Sequence, residues 1–289
     1  MPSPSAPADP EIGIAYSRTT PGLISRNPGL LDYVEVPFEL LRHDPTVTDA
    51  LGATPAVLHC ASLSLAGSVP PADSVMSSIE EWVGETGTPW LGEHLSFITA
   101  ERAHTDPSAD AYAPGEPWNI GYTVSPPMNL ETVESVVRSL ERAASRFSVP
   151  LIVENPPVYF PMPGSTMSQV EFISEVTARS GVGLLLDLAH FCITSRTLGY
   201  DAPAELARFP LDRVVEVHVS GFSEESGGWW DNHASRAPEM ELELLAMVVQ
   251  RSPVRAVTLE YNWSSRFPES VLLEEIDRTR DVIDACRRK

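Results

Sequence analysis

Residues 183–191, GLLLDLAHF, place a carboxylate and an imidazole at the end of an apolar run. The run predicts a buried strand, and Asp187 and His190 lie at its carboxyl end. An unpaired charge inside a protein is strongly unfavourable, so both side chains need a partner. A metal ion would suit both groups, and the simpler alternative is that Asp187 caps a following helix.

The same kind of side chain ends other apolar runs along the chain. The loop WWDNHAS, residues 229–235, adds a carboxylate and an imidazole two positions apart. The candidate metal ligands are His59, His94, Glu154, Asp187, His190, His218, Asp231, His233 and Glu260. Taken singly, each has a simpler explanation, since a lone histidine is usually a hydrogen-bonded core residue and Glu154 or Glu260 could be half of a buried ion pair.

The elements that would position these residues are eight short strands alternating with helical segments. The predicted strands are residues 12–17, 33–38, 56–62, 90–97, 151–156, 183–191, 214–221 and 254–262. Between and after them, residues 129–147 and 271–286 carry apolar side chains at helical spacing. Parallel strands need helical crossovers, so this alternation predicts a single α/β domain, a (β/α)8 TIM barrel.

Convergence of the ligands follows from the barrel, because the carboxyl ends of its strands meet at one face. An open doubly wound sheet is the alternative fold, although no GxGxxG loop follows the first strand. Residues 1–10 are predicted to be a disordered lead and residues 11–289 the barrel domain. The segment 99–119 is predicted to be the longest loop and to cover one end of the barrel.

Composition restricts the partners and the compartment. Forty acidic and twenty basic residues give a net charge of −20 without a basic cluster, which argues against nucleic-acid binding. Three widely spaced cysteines suggest neither a disulfide framework nor a CxxC metal site. With no signal peptide and no apolar stretch of membrane-spanning length in the sequence, we expect a soluble cytoplasmic protein.

Nine nitrogen and oxygen donors exceed the four ligands of one tetrahedral ion. They predict two or three ions bridged by carboxylates, and the mixture without thiolate suits iron, manganese or zinc. Glu93 and Asn155, next to candidate ligands, are predicted to orient them. Trp230 and Arg236 are predicted to contact substrate from the loop, although Trp230 could instead serve loop packing.

A series of motifs in this order resembles one family. The motifs are LHCASLSL, GEHLSF, VENP, TMSQVEFISEVTARSGVGLLLDLAH, EVHVSG, DNHA and LEYN. Together they resemble the multinuclear non-heme iron-dependent oxidative enzymes, TIM barrels related in shape to xylose isomerase. The resemblance extends from GIAYS to the final helix and is specific as a combination, although each motif alone is weak.

The resemblance implies two or three bound irons, use of dioxygen and oxidative rearrangement of a substrate. That substrate is commonly a cysteine of a ribosomally made peptide, in natural-product biosynthesis, sometimes presented by a separate protein; a related small molecule is the other option. The family's ligand positions are matched by His59, His94, Glu154, Asp187, His218, Asp231, His233 and Glu260. The chain departs from the family at His190, where Asn is usual, at Phe222, where HLAGH becomes HVSGF, and where FEVHSEN becomes VEVPFEL.

Two other functions remain open from the sequence. One is a redox-neutral isomerase, epimerase or hydrolase on the same barrel, using zinc or manganese. The lack of an interior lysine argues against an isomerase, because the single lysine is residue 289. The other is a noncatalytic protein that binds a metal or a partner in a fully coordinated site.

Overall fold

The computed structural model of the protein describes residues 9–101, 117–261 and 268–288. Most of the predicted disordered lead, residues 1–8, lies outside the described residues, as does the middle of the predicted loop 99–119. Among the helices in the described ranges, none has the length and apolarity needed to cross a membrane.

Eight parallel strands close into a barrel, which confirms the predicted fold class and excludes the open sheet. In chain order the strands are β1 (Glu11–Ala15), β2 (Tyr33–Pro37), β3 (Ala56–Cys60), β4 (Leu91–His94), β5 (Phe97–Glu101), β6 (Pro117–Val124), β7 (Leu151–Glu154), β8 (Gly183–Asp187), β9 (Val214–Ser220), β10 (Phe222–Glu225), β11 (Gly228–Asp231) and β12 (Ala256–Glu260). Around the barrel the order is β1, β12, β9, β8, β7, β4, β3, β2. The remaining strands form two antiparallel hairpins, β5–β6 and β10–β11.

Helices cover the barrel from outside. They are α1 (Thr20–Arg26), α2 (Phe38–Leu41), α3 (Val47–Leu51), α4 (Asp73–Thr86), α5 (Leu130–Ala144), α6 (Gln169–Ser180), α7 (Leu188–Leu198), α8 (Ala202–Leu206), α9 (Glu239–Arg251) and α10 (Glu269–Arg287). Local sequence explains their starts: Asn129 caps α5, and Ser168 with Glu171 forms a capping box at α6. The predicted helices 129–147 and 271–286 correspond to α5 and α10.

The inside of the barrel changes from apolar to polar along the strands. Its lower layer is a separate apolar cluster of Tyr33, Val57, Trp90, Ile152, Leu185 and Ala256. Side chains in a strand alternate between its two faces, so residues two positions further on point into the same interior. On β3, β7 and β8 those residues are His59, Glu154 and Asp187, which places them one layer above the apolar cluster.

Three predicted elements differ from the structure, and the first is the strand predicted over 90–97, which ends at His94 before β5 begins at Phe97. The strand predicted over 183–191 ends at Asp187, and Leu188 begins α7. A short run that is apolar throughout has no period to separate a strand from a buried helix. The predicted loop 99–119 was wrong at both ends, where β5 and β6 pair with a shift of register between Phe97 and Thr99. That irregularity interrupts the regular alternation by which a hairpin is recognised.

Candidate metal centre

Three side chains from neighbouring strands form the first group of candidate ligands. His59, His94 and Glu154 come from β3, β4 and β7. The Oε2 atom of Glu154 lies 3.2 Å from Nε2 of His59 and 3.3 Å from Nε2 of His94, and the two imidazole nitrogens are 3.5 Å apart. Ligands held at about 2.0–2.1 Å around a tetrahedral ion are roughly 3.4 Å apart, so this triangle has the dimensions of one face.

A second group lies across the barrel mouth on β8, β9 and β12. The Nδ1 atom of His218 is 3.2 Å from Oε2 of Glu260 and 3.9 Å from Oδ2 of Asp187. Asp187 Oδ2 and His218 Nδ1 of this group, and Glu154 Oε2 of the first group, are buried atoms with no hydrogen-bond partner among the described residues. Glu154, Asp187 and His218 can each offer one ligand atom such that the three atoms lie within 4.8 Å of one another. Buried polar atoms in proteins are normally satisfied, so these three point to a shared partner.

The remaining predicted ligands join the two groups at the rim. His190 lies between Glu154, with Nδ1 3.1 Å from Oε1, and Asp231, with Nε2 3.1 Å from Oδ2. The Nε2 atom of His233 is 2.5 Å from Oδ2 of Asp231 and 3.9 Å from Oε2 of Glu260. All nine predicted ligands therefore form one continuous chain of contacts, which we call the ligand ring.

The position of His190 is set by the start of α7. Asp187 is the N-cap of this helix, and its Oδ1 atom accepts the backbone N–H of His190 at 2.6 Å. The cap interpretation of this stretch is therefore confirmed, and the second oxygen of Asp187 faces the ring. The first helical turn then directs the imidazole of His190 over Glu154.

Local backbone geometry fixes the loop that carries Asp231 and His233. His233 has a left-handed backbone, φ 51°, and its N–H donates to the carbonyl of Gly221 at 3.1 Å. The loop passes so close to Gly221 that an added Cβ would lie 1.7 Å from the carbonyl oxygen of Ser235. Only glycine fits at position 221 without moving the loop.

The ring is electrically unusual because buried carboxylates and imidazoles face one another. Burial lowers the pKa of His59, but the charges of Glu35 and Glu154 outweigh it and raise that pKa to about 10. Burial likewise opposes the effect of Glu260 and Asp231 on His233, whose pKa is raised to about 9. Without a metal ion, protons on these imidazoles balance the carboxylates.

The two predicted orienting residues contact ligand-bearing backbone. The side chain of Asn155 donates to the carbonyl of Asp187 and accepts its N–H, both at 2.9 Å, which ties the ends of β7 and β8 together. Glu93 is fully buried and accepts the N–H groups of Leu63 and His94. Burial raises the pKa of Glu93 well above its usual value.

The sequence profile of the family described as "RiPP precursor modification enzyme MbnB/TglH/ChrH" matches residues 11–284. The chain belongs to this family. The match confirms the resemblance drawn from the motifs and covers the whole barrel.

Relatives of this chain include a "UPF0276 protein" of Streptomyces avermitilis, which is 29% identical over 284 residues. That alignment covers 94% of this chain and 55% of the relative, so the chain spans about half the relative's length. A UPF0276 protein of Anaeromyxobacter sp. is 27% identical over 231 residues, covering 79% of this chain and 75% of the relative.

Solved structures similar to this family member are TIM barrels. The IOLI protein with a bound zinc atom has a TM-score of 0.55 at 13% identity, over 96% of this chain and 97% of that one. D-psicose 3-epimerase from Clostridium cellulolyticum H10 has a TM-score of 0.53 at 14% identity, over 96% and 98%. At these identities the likeness shows the fold alone.

The two predicted substrate contacts have different surroundings. Trp230 is 45% exposed beside the ring and stacks on Tyr159 with ring centres 4.9 Å apart, and Tyr122 donates to the Tyr159 hydroxyl at 3.1 Å. Arg236 instead pairs with Glu275 at 2.9 Å and with Glu274, both on α10. Both partners of Arg236 lie outside the ring, so this pairing does not support the predicted substrate contact.

Three buried acids near the ring were missed from the sequence, and one of them is Glu241 on α9, which accepts the backbone N–H of Ser220 at 3.0 Å. Glu35 on β2 lies with its Oε2 atom 2.9 Å from Nε2 of His218, and Glu216 on β9 lies below it. Glu35 and Glu216 each lie between two valines of a strand, which was the available signal. Phe222, which replaces the family histidine, is buried against Trp229 and Arg196.

Proposed function

We propose that this member of the MbnB/TglH/ChrH family holds two or three iron ions and uses dioxygen to modify a cysteine-containing peptide. A related small molecule in natural-product biosynthesis is the other substrate that the sequence allows. The observation that carries the proposal is the ligand ring, in which nine nitrogen and oxygen donors meet at the barrel mouth.

The donor set fits metal ions better than it fits a closed hydrogen-bond network. Four buried side-chain atoms of its residues lack hydrogen-bond partners among the described residues, and its carboxylates are balanced only by imidazoles in the contacts described. Nitrogen and oxygen donors of this mixture suit iron, manganese or zinc. His59, His94 and Glu154 would hold one ion, and Asp187, His218 and Glu260 a second.

The rim residues Asp231 and His233, with His190 beside them, would bind a third ion. Alternatively, they would supply the remaining ligands of the second ion. Bound iron would supply the reaction with dioxygen and the removal of electrons and hydrogen from substrate. The chain itself would hold the ligands in register, since each comes from a strand end or from an anchored loop. Deep burial of Glu154 and Asp187 keeps water from the floor of the centre.

Access to the centre comes from the rim. The side chains of His94 and His233 are 20% and 25% exposed, whereas that of His218 is fully buried. Trp230 directly precedes the rim residue Asp231, so the stacked pair of Trp230 and Tyr159 would form a wall for substrate. A flat aromatic wall suits an extended peptide because it contacts apolar side chains and backbone alike.

The first test is metal content and oxygen reactivity. The protein is purified anaerobically, loaded with Fe(II), and its iron content and visible spectrum are recorded before and after exposure to oxygen. The variant Glu154→Gln should lose iron because this carboxylate joins two ligand groups. The matched control is Glu175→Gln, which removes an exposed acid paired to Arg179 on α6. Two or three irons with an oxygen-dependent spectrum support the proposal.

The substrate is tested by co-expression with each short cysteine-containing reading frame beside the gene. A mass change in the peptide that requires Glu154 supports the peptide substrate. Stoichiometric zinc with turnover indifferent to oxygen would instead favour a redox-neutral enzyme. A saturated centre with no reactivity would favour a noncatalytic metal-binding protein.

A further inference from the structure

His218 is a ring ligand whose two nitrogens face different carboxylates. Its Nδ1 atom points between Asp187 and Glu260, into the ligand ring. Its Nε2 atom lies 2.9 Å from Oε2 of Glu35, on the side away from the ring. The imidazole is fully buried and the side chain of Glu35 is 3% exposed, so water does not compete for this contact.

A second acid lies near the same nitrogen but is occupied by other donors. Oε1 of Glu216 is 3.8 Å from Nε2 of His218, beyond hydrogen-bonding distance. Its oxygens accept the Thr258 hydroxyl at 2.6 Å and the Trp90 indole N–H at 2.7 Å, and the Tyr33 hydroxyl lies at 3.3 Å. Glu35 is therefore the acid that accepts a hydrogen bond from the Nε2–H group of His218.

We propose that Glu35 is a positioning residue of the metal centre. By accepting the Nε2–H of His218 it fixes the imidazole as the tautomer whose Nδ1 lone pair faces Asp187 and Glu260. A carboxylate behind a metal-bound histidine also makes the ligand nitrogen more basic and holds the ring at one angle. This inference rests on the proposed metal centre, but it requires neither iron nor dioxygen.

The competing explanation is a separate cation site inside the barrel. Glu35, Glu216 and His218 offer ligand atoms within 4.8 Å of one another. An ion there would have to displace the three protein donors that already contact Glu216, and it would need the Nε2 lone pair of His218. A carboxylate oxygen can only accept a hydrogen bond, so the 2.9 Å contact with Glu35 calls for a proton on that nitrogen. Together with the donors already on Glu216, this favours positioning over a separate site.

The test uses Zn(II), which is diamagnetic, with the 289-residue chain and three variants. Glu35→Ala removes the acceptor, Glu35→Gln keeps an acceptor but removes the charge, and Glu216→Gln alters the neighbouring acid. We expect Glu35→Ala to raise the zinc Kd about 10- to 100-fold with the number of bound ions unchanged at saturation. Glu35→Gln should raise it less, and Glu216→Gln should leave it within about threefold of wild type.

A nitrogen-15 NMR spectrum of labelled histidines reports which ring nitrogen is protonated and which binds metal. General destabilisation of the fold would not change that assignment. In the zinc-loaded wild type, His218 should be protonated at Nε2 and bound at Nδ1, and Glu35→Ala should lose that single assignment. Far-UV circular dichroism of the metal-free variants verifies folding, and Glu35→Gln remains informative if Glu35→Ala does not fold.

Several results would overturn the inference. One is a wild-type Kd and an unchanged His218 spectrum in both Glu35 variants, and another is a wild type whose Nδ1 atom binds no zinc. The loss of one ion in both Glu35→Gln and Glu216→Gln would show the separate cation site instead. An iron-loaded wild type that ignores oxygen would refute the proposed function alone, because the zinc experiment does not depend on it.

Discussion

Replacing Gly221 with alanine should detach one part of the ligand ring while leaving the rest in place. Gly221 directly succeeds β9, and its carbonyl accepts the N–H of His233. A Cβ at this position would lie 1.7 Å from the carbonyl oxygen of Ser235, whereas real Cβ contacts are essentially never shorter than 3.0 Å, so the loop must retreat by about 1.3 Å. Metal–ligand distances tolerate only about 0.2 Å.

A retreat of that size takes Asp231 and His233 out of binding distance. The ligands on β3, β4 and β7 do not depend on this loop and should keep their ion. We therefore expect Gly221→Ala to bind one metal ion fewer per chain, or to bind its last ion at least tenfold more weakly. Overpacking of this kind also lowers the free energy of unfolding by about 1–3 kcal/mol.

The assay is metal content by mass spectrometry after anaerobic loading with Fe(II), together with circular dichroism and thermal unfolding. Gly84→Ala on α4 is the matched control, because a Cβ there meets nothing within 4 Å. It should keep the wild-type metal content. A folded Gly221→Ala protein with the wild-type number of ions and the wild-type affinity would refute the role of this loop in metal binding.

Three further predictions concern individual contacts and charges. Asn155→Ala removes both hydrogen bonds to the backbone of Asp187, so the free energy of unfolding, measured in urea, should fall by about 1–3 kcal/mol; an unchanged value would contradict this. Gly92→Ala places a Cβ 2.7 Å from Nδ1 of His59 and should weaken metal binding in titrations without altering the circular dichroism of the metal-free protein. Because the pKa of His59 is about 10 and that of His233 about 9, both are protonated at pH 7 without metal, and metal binding must displace those protons. Metal affinity should therefore rise as the pH rises toward about 9, and calorimetry in buffers of different ionisation enthalpy should detect proton release; heats independent of the buffer would contradict it.

Much of the barrel could be predicted from local sequence because its strands are short apolar runs separated by helical segments. Candidate ligands such as His59 and Glu154 were recognisable because each is a polar residue at the end of such a run. A parallel barrel brings those ends to one face, which is why residues nearly 100 positions apart could be expected to meet.

The sequence could not show which acids within a strand point into the barrel, nor where the strand after residue 183 gives way to a helix. Glu35 lies in the middle of an apolar strand, where a single acid reads equally as an exposed residue. Its role depends on His218 of β9, a strand on the other side of the barrel, and the residues of β2 do not reveal that contact. The start of α7 at Leu188 was hidden for another reason, since the apolar residues around Asp187 fit a strand and a buried helix alike.

The left-handed backbone of His233 limits which substitutions evolution can accept at that position. Apart from glycine, the residues found most often at positive φ are asparagine, aspartate and histidine. The side chains of all three can bind a cation. Drift at this site could thus exchange nitrogen for oxygen without rebuilding the surrounding chain. Preference for one ion over another could shift in this way by a single codon change.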